Sequence, residues 1–359
     1  MALKAGSAAG SLELRNLALA DLDEVVAIDA GLIGRRRQIY FRKRLDAALR
    51  QPKLHAQFAA VRNGILAGYA LARRLAGEFG VTEPALRLEV IGVRPESRGQ
   101  GIGRRLLAEL EAWGRHCAVR EVRTLATWRD HELLRFLDRA GFDLGRSQVV
   151  DCAVHAGPIV GLERVAGPLE EASAPEKDYG APATNDFETL ARDRADVRLL
   201  AKDDLPAILA IDRRVTGRDR EGYLTEVQHE ALADSAVRVS LVARREGVTA
   251  GFLMAKTDYG DFGRTGPVAV IDTLGVDPEF TGRGIGTAML SQLFLNLHAL
   301  RVEHVETVIA RENAELLQFF YRAGFAPSQR LEFVKDLSKA VLFEEFVGAQ
   351  SDKFLGAKR

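Results

Sequence analysis

The sequence predicts an α/β protein built from two tandem copies of one unit, each a mixed, twisted β-sheet flanked by helices. Three observations predict this. The chain of 359 residues has room for two ordinary domains, each with its own core. Apolar strand-like runs alternate with amphipathic helix-like runs in both halves. One glycine-rich turn occurs twice at a fixed offset of 183, as Val93-Arg-Pro-Glu-Ser-Arg-Gly-Gln-Gly-Ile-Gly103 and Val276-Asp-Pro-Glu-Phe-Thr-Gly-Arg-Gly-Ile-Gly286.

The offset holds well beyond the turns. Ala27-Ile28-Asp29 matches Ala210-Ile211-Asp212, Tyr40 matches Tyr223, Gly68 matches Gly251, and Ala140-Gly-Phe142 matches Ala323-Gly-Phe325. Gly77-Glu-Phe-Gly80 likewise matches Gly260-Asp-Phe-Gly263, with no insertion needed from about residue 12 to about 145. Such self-similarity marks a duplicated unit.

The elements follow in order. Asp21-Leu22 and Asp204-Leu205 start a first helix in each copy. Residues 54–62 and 237–245 read as strands that Asn63-Gly64 and Glu246-Gly247 turn into the next pair, 67–72 and 250–255. Strands 86–93 and 269–276 end at the glycine turns. The helices that follow place Leu106, Leu107, Leu110 and Trp113 on one face, or Met289, Leu290, Leu293, Phe294 and Leu297. Strands 121–127 and 305–309 and helices 132–139 and 314–322 complete the pattern. The segment 157–195 carries Pro158, Pro168, Pro175 and Pro182 among Ala, Gly and acidic residues, so it reads as a connector with a short helix near 187–194. The division is therefore a disordered start over 1–11, units over 12–156 and 195–350, a linker over 157–194, and a tail over 351–359. The chain after Leu331 is expected to complete the second sheet.

Net charge is zero but unevenly spread. Residues 1–150 hold 25 Lys+Arg against 17 Asp+Glu, residues 151–194 hold 4 against 9, and residues 195–359 hold 21 against 24. The clusters Arg35-Arg36-Arg37 and Arg42-Lys43-Arg44 lack aromatic platforms or a reading motif, which favours a solvated or docked helix face over a nucleic-acid site. No apolar run reaches membrane-span length. Two cysteines, Cys117 and Cys152, argue against a disulfide framework and fit a reducing cytoplasm. The seven histidines show no metal-ligand spacing, so no metal is expected.

A glycine turn between strand and helix gathers free N–H groups and a positive helix end, which suits a phosphate. A dinucleotide fold offers a similar turn, but here it lies deep inside each unit and no acidic residue ends a strand some twenty positions on. A Walker-type loop is excluded because no Gly-Lys-Ser/Thr follows.

Arg98-Gly-Gln-Gly-Ile-Gly103 is similar to the Arg/Gln-x-x-Gly-x-Gly/Ala loop of the GNAT superfamily of N-acetyltransferases. The preceding Val-x-Pro-Glu and the later Ala-Gly-Phe resemble that superfamily too, and the pattern covers most of both units. The resemblance implies two tandem GNAT-like domains that use acetyl-CoA as co-substrate and an amine as acceptor. The pyrophosphate would sit on Arg98, Gly99, Gln100, Gly101, Ile102, Gly103 and Arg104, or on Thr281, Gly282, Arg283, Gly284, Ile285, Gly286 and Thr287. Thr281 departs from the pattern's Arg or Gln, which a cradle of backbone amides tolerates. The resemblance also assigns the pantetheine arm and thioester to Ile91 and Val93, or to Leu274, Gly275 and Val276. Asn313 and Phe320 match positions that meet the cofactor, where the first unit has Asp130 and Leu137.

Acetyl transfer needs a base for the amine. Asp272, on a strand face with Val270, Leu274 and Val276, is a carboxylate in apolar surroundings, and Glu89 is its counterpart. Structural carboxylates bonded to an arginine or amide are the competing reading. Tyr321 is the candidate acid, one residue beyond the position where family members often carry tyrosine, and the competing reading is a surface tyrosine. Asp29, Arg35 and Tyr40 recur as Asp212, Arg218 and Tyr223. The resemblance puts them at the acceptor's entrance, and the competing reading is an Asp–Arg pair beside a core tyrosine. The expected activity is an N-acetyltransferase, with the second unit favoured as the reacting half because it keeps Asp272, Asn313 and Tyr321. The alternative is a non-catalytic acyl-CoA-binding sensor or scaffold. The acceptor, the acyl chain length and any homo-oligomer stay open.

Overall fold

The computed structural model of the chain describes residues 11–75, 84–154, 195–233, 239–258 and 268–338. The expectations for the N-terminal start, the repeated Gly-x-Phe-Gly turn, the linker with its short helix, and the C-terminal tail lie outside these residues. In chain order the first half gives β1 (Leu12–Asn16), α1 (Leu22–Ile33), α2 (Gln38–Arg50), β2 (His55–Arg62), β3 (Ile65–Leu75), β4 (Ala85–Val93), α3 (Ile102–His116), β5 (Glu121–Thr127), α4 (His131–Arg139), β6 (Asp143–Leu144) and β7 (Ser147–Ala153). The second half repeats them as β8 (Asp196–Leu199), α5 (Leu205–Thr216), α6 (Glu221–Ala233), β9 (Leu241–Arg245), β10 (Val248–Asp258), β11 (Val268–Val276), α7 (Ile285–Ala299), β12 (His304–Ala310), α8 (Ala314–Arg322), β13 (Ala326–Pro327) and β14 (Arg330–Asp336).

Among the described residues there are two seven-stranded mixed sheets, ordered β1-β2-β3-β4-β5-β14-β6 and β13-β7-β12-β11-β10-β9-β8. The helices cover both faces of each. On one face of the first sheet, Leu106, Leu107 and Leu110 of α3 are buried against Leu86, Leu88 and Val122; each such side chain contributes roughly 1.5–3 kcal/mol by leaving water. Val25, Ile28, Tyr40, Phe41 and Leu45 of α1 and α2 seal the other face. The second sheet repeats this with Met289, Leu290 and Leu293 on one side and Ile208, Ile211 and Leu224 on the other.

The last strands correct the expectation for the chain after Leu331. β14 completes the first sheet, pairing antiparallel with β5 from Arg330↔Thr127 to Asp336↔Glu121. β7 completes the second, pairing with β12 from His304↔Ala153 to Ala310↔Ser147. The two units have thus exchanged their final strands. Because both copies carry the same pattern, an edge such as β5 accepts the last strand of either, and pattern alone cannot choose between them. The crossing is fastened by buried charges. Arg330 Nη1 lies 3.0 Å from Glu306 of the opposite sheet, and Glu332 accepts the Ser147 N–H at 3.1 Å. Among the described residues no helix is long and apolar enough to cross a membrane, and no cluster of His, Cys, Asp or Glu could hold a metal. Both cysteines are free thiols.

Candidate functional site

Each sheet forks at its centre. β4 and β5 are paired in parallel only from Ala85↔Glu121 to Arg87↔Arg123, and β11 and β12 only from Val268↔His304 to Val270↔Glu306. A bulge follows at once in each unit. Leu71 faces Val90 and Ala72 faces Leu88, so Glu89 is the extra residue. Met254 faces Thr273 and Ala255 faces Ile271, so Asp272 is the extra residue. A bulge bends its strand away from its neighbour. Past the fork, threonine hydroxyls stand in for the lost ladder. Thr124 donates to the Leu88 carbonyl at 3.0 Å, and Thr307 to the Ile271 carbonyl at 2.9 Å.

The forked strands run into the glycine turns. Gly99 and Gly101 adopt φ of 73° and 76°, and Gly282 and Gly284 adopt 76° and 77°. Gly101 and Gly284 are the residues that open α3 and α7. A Cβ on Gly99, Gly101 or Gly282 would meet nothing within 4 Å, so the space above the turn is open there and the left-handed backbone is what demands glycine. Gly103 and Gly286 serve differently. A Cβ there would meet the ring of Phe136 or Phe319 at 3.1 Å, so glycine lets α4 or α8 lay a ring on the first helical turn.

In the first unit these parts line one cleft of about 730 Å³. It runs from Arg98, Gly99, Gly101, Ile102, Gly103 and Arg104, past Ile91 and Val93, to Asp29 and Arg37. Gln100 turns away from it, accepting from Arg62 and donating to the Glu96 carbonyl at 3.2 Å. In the second turn Thr281 Oγ1 donates to the Asp277 carbonyl at 3.4 Å, and the Arg283 guanidinium lies 5.4 Å from the Phe280 ring centre. Ile285 is buried in the core, and Thr287 lies in the first turn of α7 with Gly286. Leu274 and Val276 are partly buried against that core, flanking Gly275. A Cβ on Gly275 would lie 2.5 Å from the Phe252 ring.

Asp130 and Asn313, read as a departure of one unit from the other, do the same local job. Each caps its helix, accepting from Leu133 N at 3.0 Å or Leu316 N at 3.1 Å. Phe320 is fully buried against Phe325 and Phe319, and Phe136, the counterpart of Phe319, lines the cleft. Tyr321 is exposed.

The two bulge carboxylates are buried and paired. Glu89 Oε1 has Arg44 Nη2 at 3.2 Å and Arg73 Nε at 3.4 Å. Asp272 Oδ2 has Lys256 Nζ at 3.0 Å. At the far end of the cleft, the partner of Asp29 is Arg37 rather than Arg35, through Nε to Oδ2 at 2.8 Å and Nη2 to Oδ1 at 2.6 Å. The partner of Asp212 is Arg220 rather than Arg218, through Nε to Oδ2 at 3.0 Å. Arg35 and Arg218 are exposed. The reason is the turn after α1 and α5. Gly34 and Gly217 end those helices in the left-handed conformation, and the arginine three residues later comes back over the preceding turn. Tyr40 and Tyr223 are buried beneath those guanidinium groups, at 4.8 Å and 5.4 Å. Tyr69 Oη also reaches Asp29 Oδ1 at 3.3 Å, and burial, then Asp29, pushes its phenol well up, keeping it a donor. The second unit has Phe252 at that position and instead bonds Arg220 to Thr273 Oγ1 at 3.3 Å. The 183-residue offset could have found Arg37, Phe136 and Thr124 with their counterparts Arg220, Phe319 and Thr307, but not Tyr69, which it does not repeat.

The model of the acetyltransferase (GNAT) family matches residues 23–142 and again 205–325. A mycothiol acetyltransferase of Propionibacterium freudenreichii is 38% identical over 87 residues, 24% of this chain and 27% of that protein's length. One from Nocardiopsis dassonvillei is 25% identical over 276 residues, 74% of this chain and 77% of that one. Among solved structures, a tandem GNAT protein from the clavulanic acid biosynthesis pathway is 17% identical, with a TM-score of 0.57 over 92% of this chain and all of that one. The glucosamine N-acetyltransferase region of a fungal multi-domain β-N-acetylglucosaminidase is 16% identical, with a TM-score of 0.58 over 91% of this chain and 38% of that one.

Proposed function

Because the chain belongs to the GNAT acetyltransferase family, we propose that it moves an acetyl group from acetyl-CoA to a primary amine by direct attack, with the second unit as the reacting half. The pairing of the bulge carboxylates carries the choice of half. Glu89 is clamped on one oxygen by two arginines, whose rigid guanidinium forks stay charged at any working pH. Asp272 has one lysine partner, itself about a quarter exposed, on a flexible stem that can swing aside. Asp272 is the carboxylate better placed to take the amine proton.

The open turns and the cleft fit the elongated, phosphate-bearing acetyl-CoA, which supplies the activated thioester. The amides of Gly282, Arg283 and Gly284 would hold its pyrophosphate, and the strand edge over Leu274–Val276, opened by the fork, would orient the acyl end. Tyr321 is the candidate proton donor to the departing thiolate. The names of the curated relatives favour a small-molecule acceptor over a protein. The double clamp on Glu89 favours a narrower role for the first unit, binding acyl-CoA without turnover.

Thiol release from acetyl-CoA, measured with a panel of primary amines, tests both statements. Asp272→Asn is expected to lower kcat by about 10²–10⁴-fold while acetyl-CoA still binds, and Glu89→Gln to keep turnover. If only Glu89→Gln loses turnover, the reacting half is the first. If acetyl-CoA binds and no amine releases thiol, the protein is an acyl-CoA binder.

A further inference from the structure

The two exchanged strands share one register. β14 lies on β5 from Arg330↔Thr127 to Asp336↔Glu121, and β7 lies on β12 from Ser147↔Ala310 to Ala153↔His304. The 183-residue offset converts each of these pairings into the other, so either strand fits either edge without a shift. Packing agrees. A Cβ on Gly141 would meet Lys335 Cε at 3.8 Å, and one on Gly324 would meet Cys152 Sγ at 3.9 Å, so residues 335 and 152 occupy the same place in opposite sheets. Backbone pairing is blind to which strand goes where, and side chains must decide.

Charge differs between the two edges. At one register position β5 carries Arg123 and β12 carries Glu306. Arg123 Nη1 lies 3.3 Å from Glu332 Oε1 of β14, and its Nη2 lies 2.6 Å from Glu121 of its own strand. On the neighbouring strand it is paired with Arg87, whose counterpart is Val270, so the first edge is the richer in cations. The other oxygen of Glu332 accepts the Ser147 N–H at 3.1 Å. On β12, Glu332 would come beside Glu306 instead, where β7 now offers Val149. A second position repeats the contrast. Glu111 of α3 accepts from Lys335 and from Arg115 at 3.4 Å. The counterpart of Glu111 is Phe294, which is buried in one core with Cys152. Returned to its own unit, Lys335 would enter that apolar core, where a charge is costly. Asp151 favours the opposite arrangement, since it lies across from Glu306 and on β5 would face Arg123. Two contacts offset this in the exchanged form. Ser328 Oγ donates to Asp151 Oδ2 at 2.6 Å, and Arg330 of β14 reaches over to Glu306 at 3.0 Å.

We propose that the β5 edge is a recognition surface for the last strand of the opposite unit, matched by Arg123 to Glu332 and by Glu111 to Lys335. Glu306 and the apolar site at Phe294 keep β14 off its own sheet. Attraction admits one partner and like charge rejects the other, and specificity is the difference between them. The outer strand of the first fork is thereby held by the second unit, whatever the clefts bind.

Disulfide trapping in the full chain tests this. Val149 lies directly across from Val308, so Val149→Cys with Val308→Cys reports the exchanged arrangement. The counterpart of Val308 is Leu125, so Val149→Cys with Leu125→Cys reports each strand in its own sheet. Opposed strand residues come within disulfide reach, and peptide mass mapping separates these bridges from any made by Cys117 or Cys152. The first bridge is expected in the parent background. Glu332→Lys sets a cation against Arg123 and an opposite charge beside Glu306, and is expected to shift bridging from the first to the second by about tenfold or more. Glu332→Gln removes attraction and repulsion together and is expected to shift it less. A first bridge undiminished in Glu332→Lys overturns the proposal, and so does an equal shift in Glu332→Gln, which would mark lost packing rather than charge. Should Glu332→Lys not accumulate as folded protein, the second position decides. Lys335→Met and Glu111→Met are each expected to lower the melting temperature by roughly 3–6 °C, and the double variant to recover most of the loss. Losses that simply add overturn the proposal.

Discussion

At the first glycine turn the cleft mouth carries Arg98, Arg104, Arg135 and Arg139, and the same register at the second turn holds Thr281, Thr287, Gln318 and Arg322. The backbones of the two turns agree to within a few degrees of φ. Their charge does not. Duplication has kept the part of the proposed phosphate cradle made of amides and helix ends, which depends on glycine and little else. It has let the side-chain cations diverge, with Arg98, Arg104, Arg135 and Arg139 at one mouth and Arg283 and Arg322 at the other. The same split appears deeper in, where two arginines hold Glu89 and one lysine holds Asp272.

The largest expected effect breaks the part the two halves share. Gly101→Glu puts an L-residue at φ 76°, at a cost of about 1–2 kcal/mol, and aims a carboxylate into the cradle. Acetyl-CoA binding to the first unit is expected to weaken by about 100-fold or more, and Gly284→Glu to do the same in the second. Calorimetric titration with acetyl-CoA reads both. Two sites in the parent chain and one in each variant is the expected pattern, and two sites in either variant would show that its turn is not the cradle.

A smaller effect separates the halves. Arg135→Gln with Arg139→Gln removes two cations from the first mouth, each worth roughly 0.5–1 kcal/mol toward a phosphate at the surface. The first site is expected to weaken by about tenfold, with its affinity becoming less sensitive to salt as screened charges are removed. The second site is expected to change little. Equal weakening at both sites would mean that the difference in side-chain charge plays no part in binding.

How much of this was legible in the sequence follows from what repeats. The fold class, the two units and the glycine turns were readable, because strand and helix periods and the left-handed glycines leave a local signature that a fixed offset doubles. The bulges at Glu89 and Asp272 were not, since one extra residue in a strand changes no composition and is defined only by its neighbour's register. Alternation on an unbulged strand therefore put Asp272 on an apolar face, and hid the lysine beside it. The run Arg35-Arg36-Arg37 concealed which arginine meets Asp29, although Arg37 and Arg220 keep the offset as well as Arg35 and Arg218 do. The exchange of β7 and β14 is least legible of all. Two copies of one pattern offer each strand two equivalent edges, and only the packed molecule distinguishes them.

The smallest effect tests where the two halves remain alike. At the start of each unit an arginine on the first strand grips an aspartate at the head of the first helix. Arg15 holds Asp21 through two bonds of 2.7 Å, and Arg198 holds Asp204 in the same way. Each aspartate also accepts a backbone N–H at 2.8 Å, from Ala18 or Ala201. The hydrogen bond from Arg15 holds the Asp21 carboxyl below its usual range against the opposing effect of burial. For Asp204 burial is the larger influence and opposes, but Arg198 and the Ala201 amide together outweigh it. A carboxyl lowered in the folded state stabilises above its unfolded titration and loses that contribution as pH falls through it. Asp21→Asn and Asp204→Asn are therefore each expected to cost about 1 kcal/mol near pH 7, a drop of about 1–2 °C in melting temperature for a chain of this size. The gap from the parent should shrink as pH drops below about 4. Equal gaps for the two variants would show that these grips, unlike the cleft mouths, have kept the same strength in both halves. A gap confined to one would extend the divergence of the mouths to the scaffold that carries them.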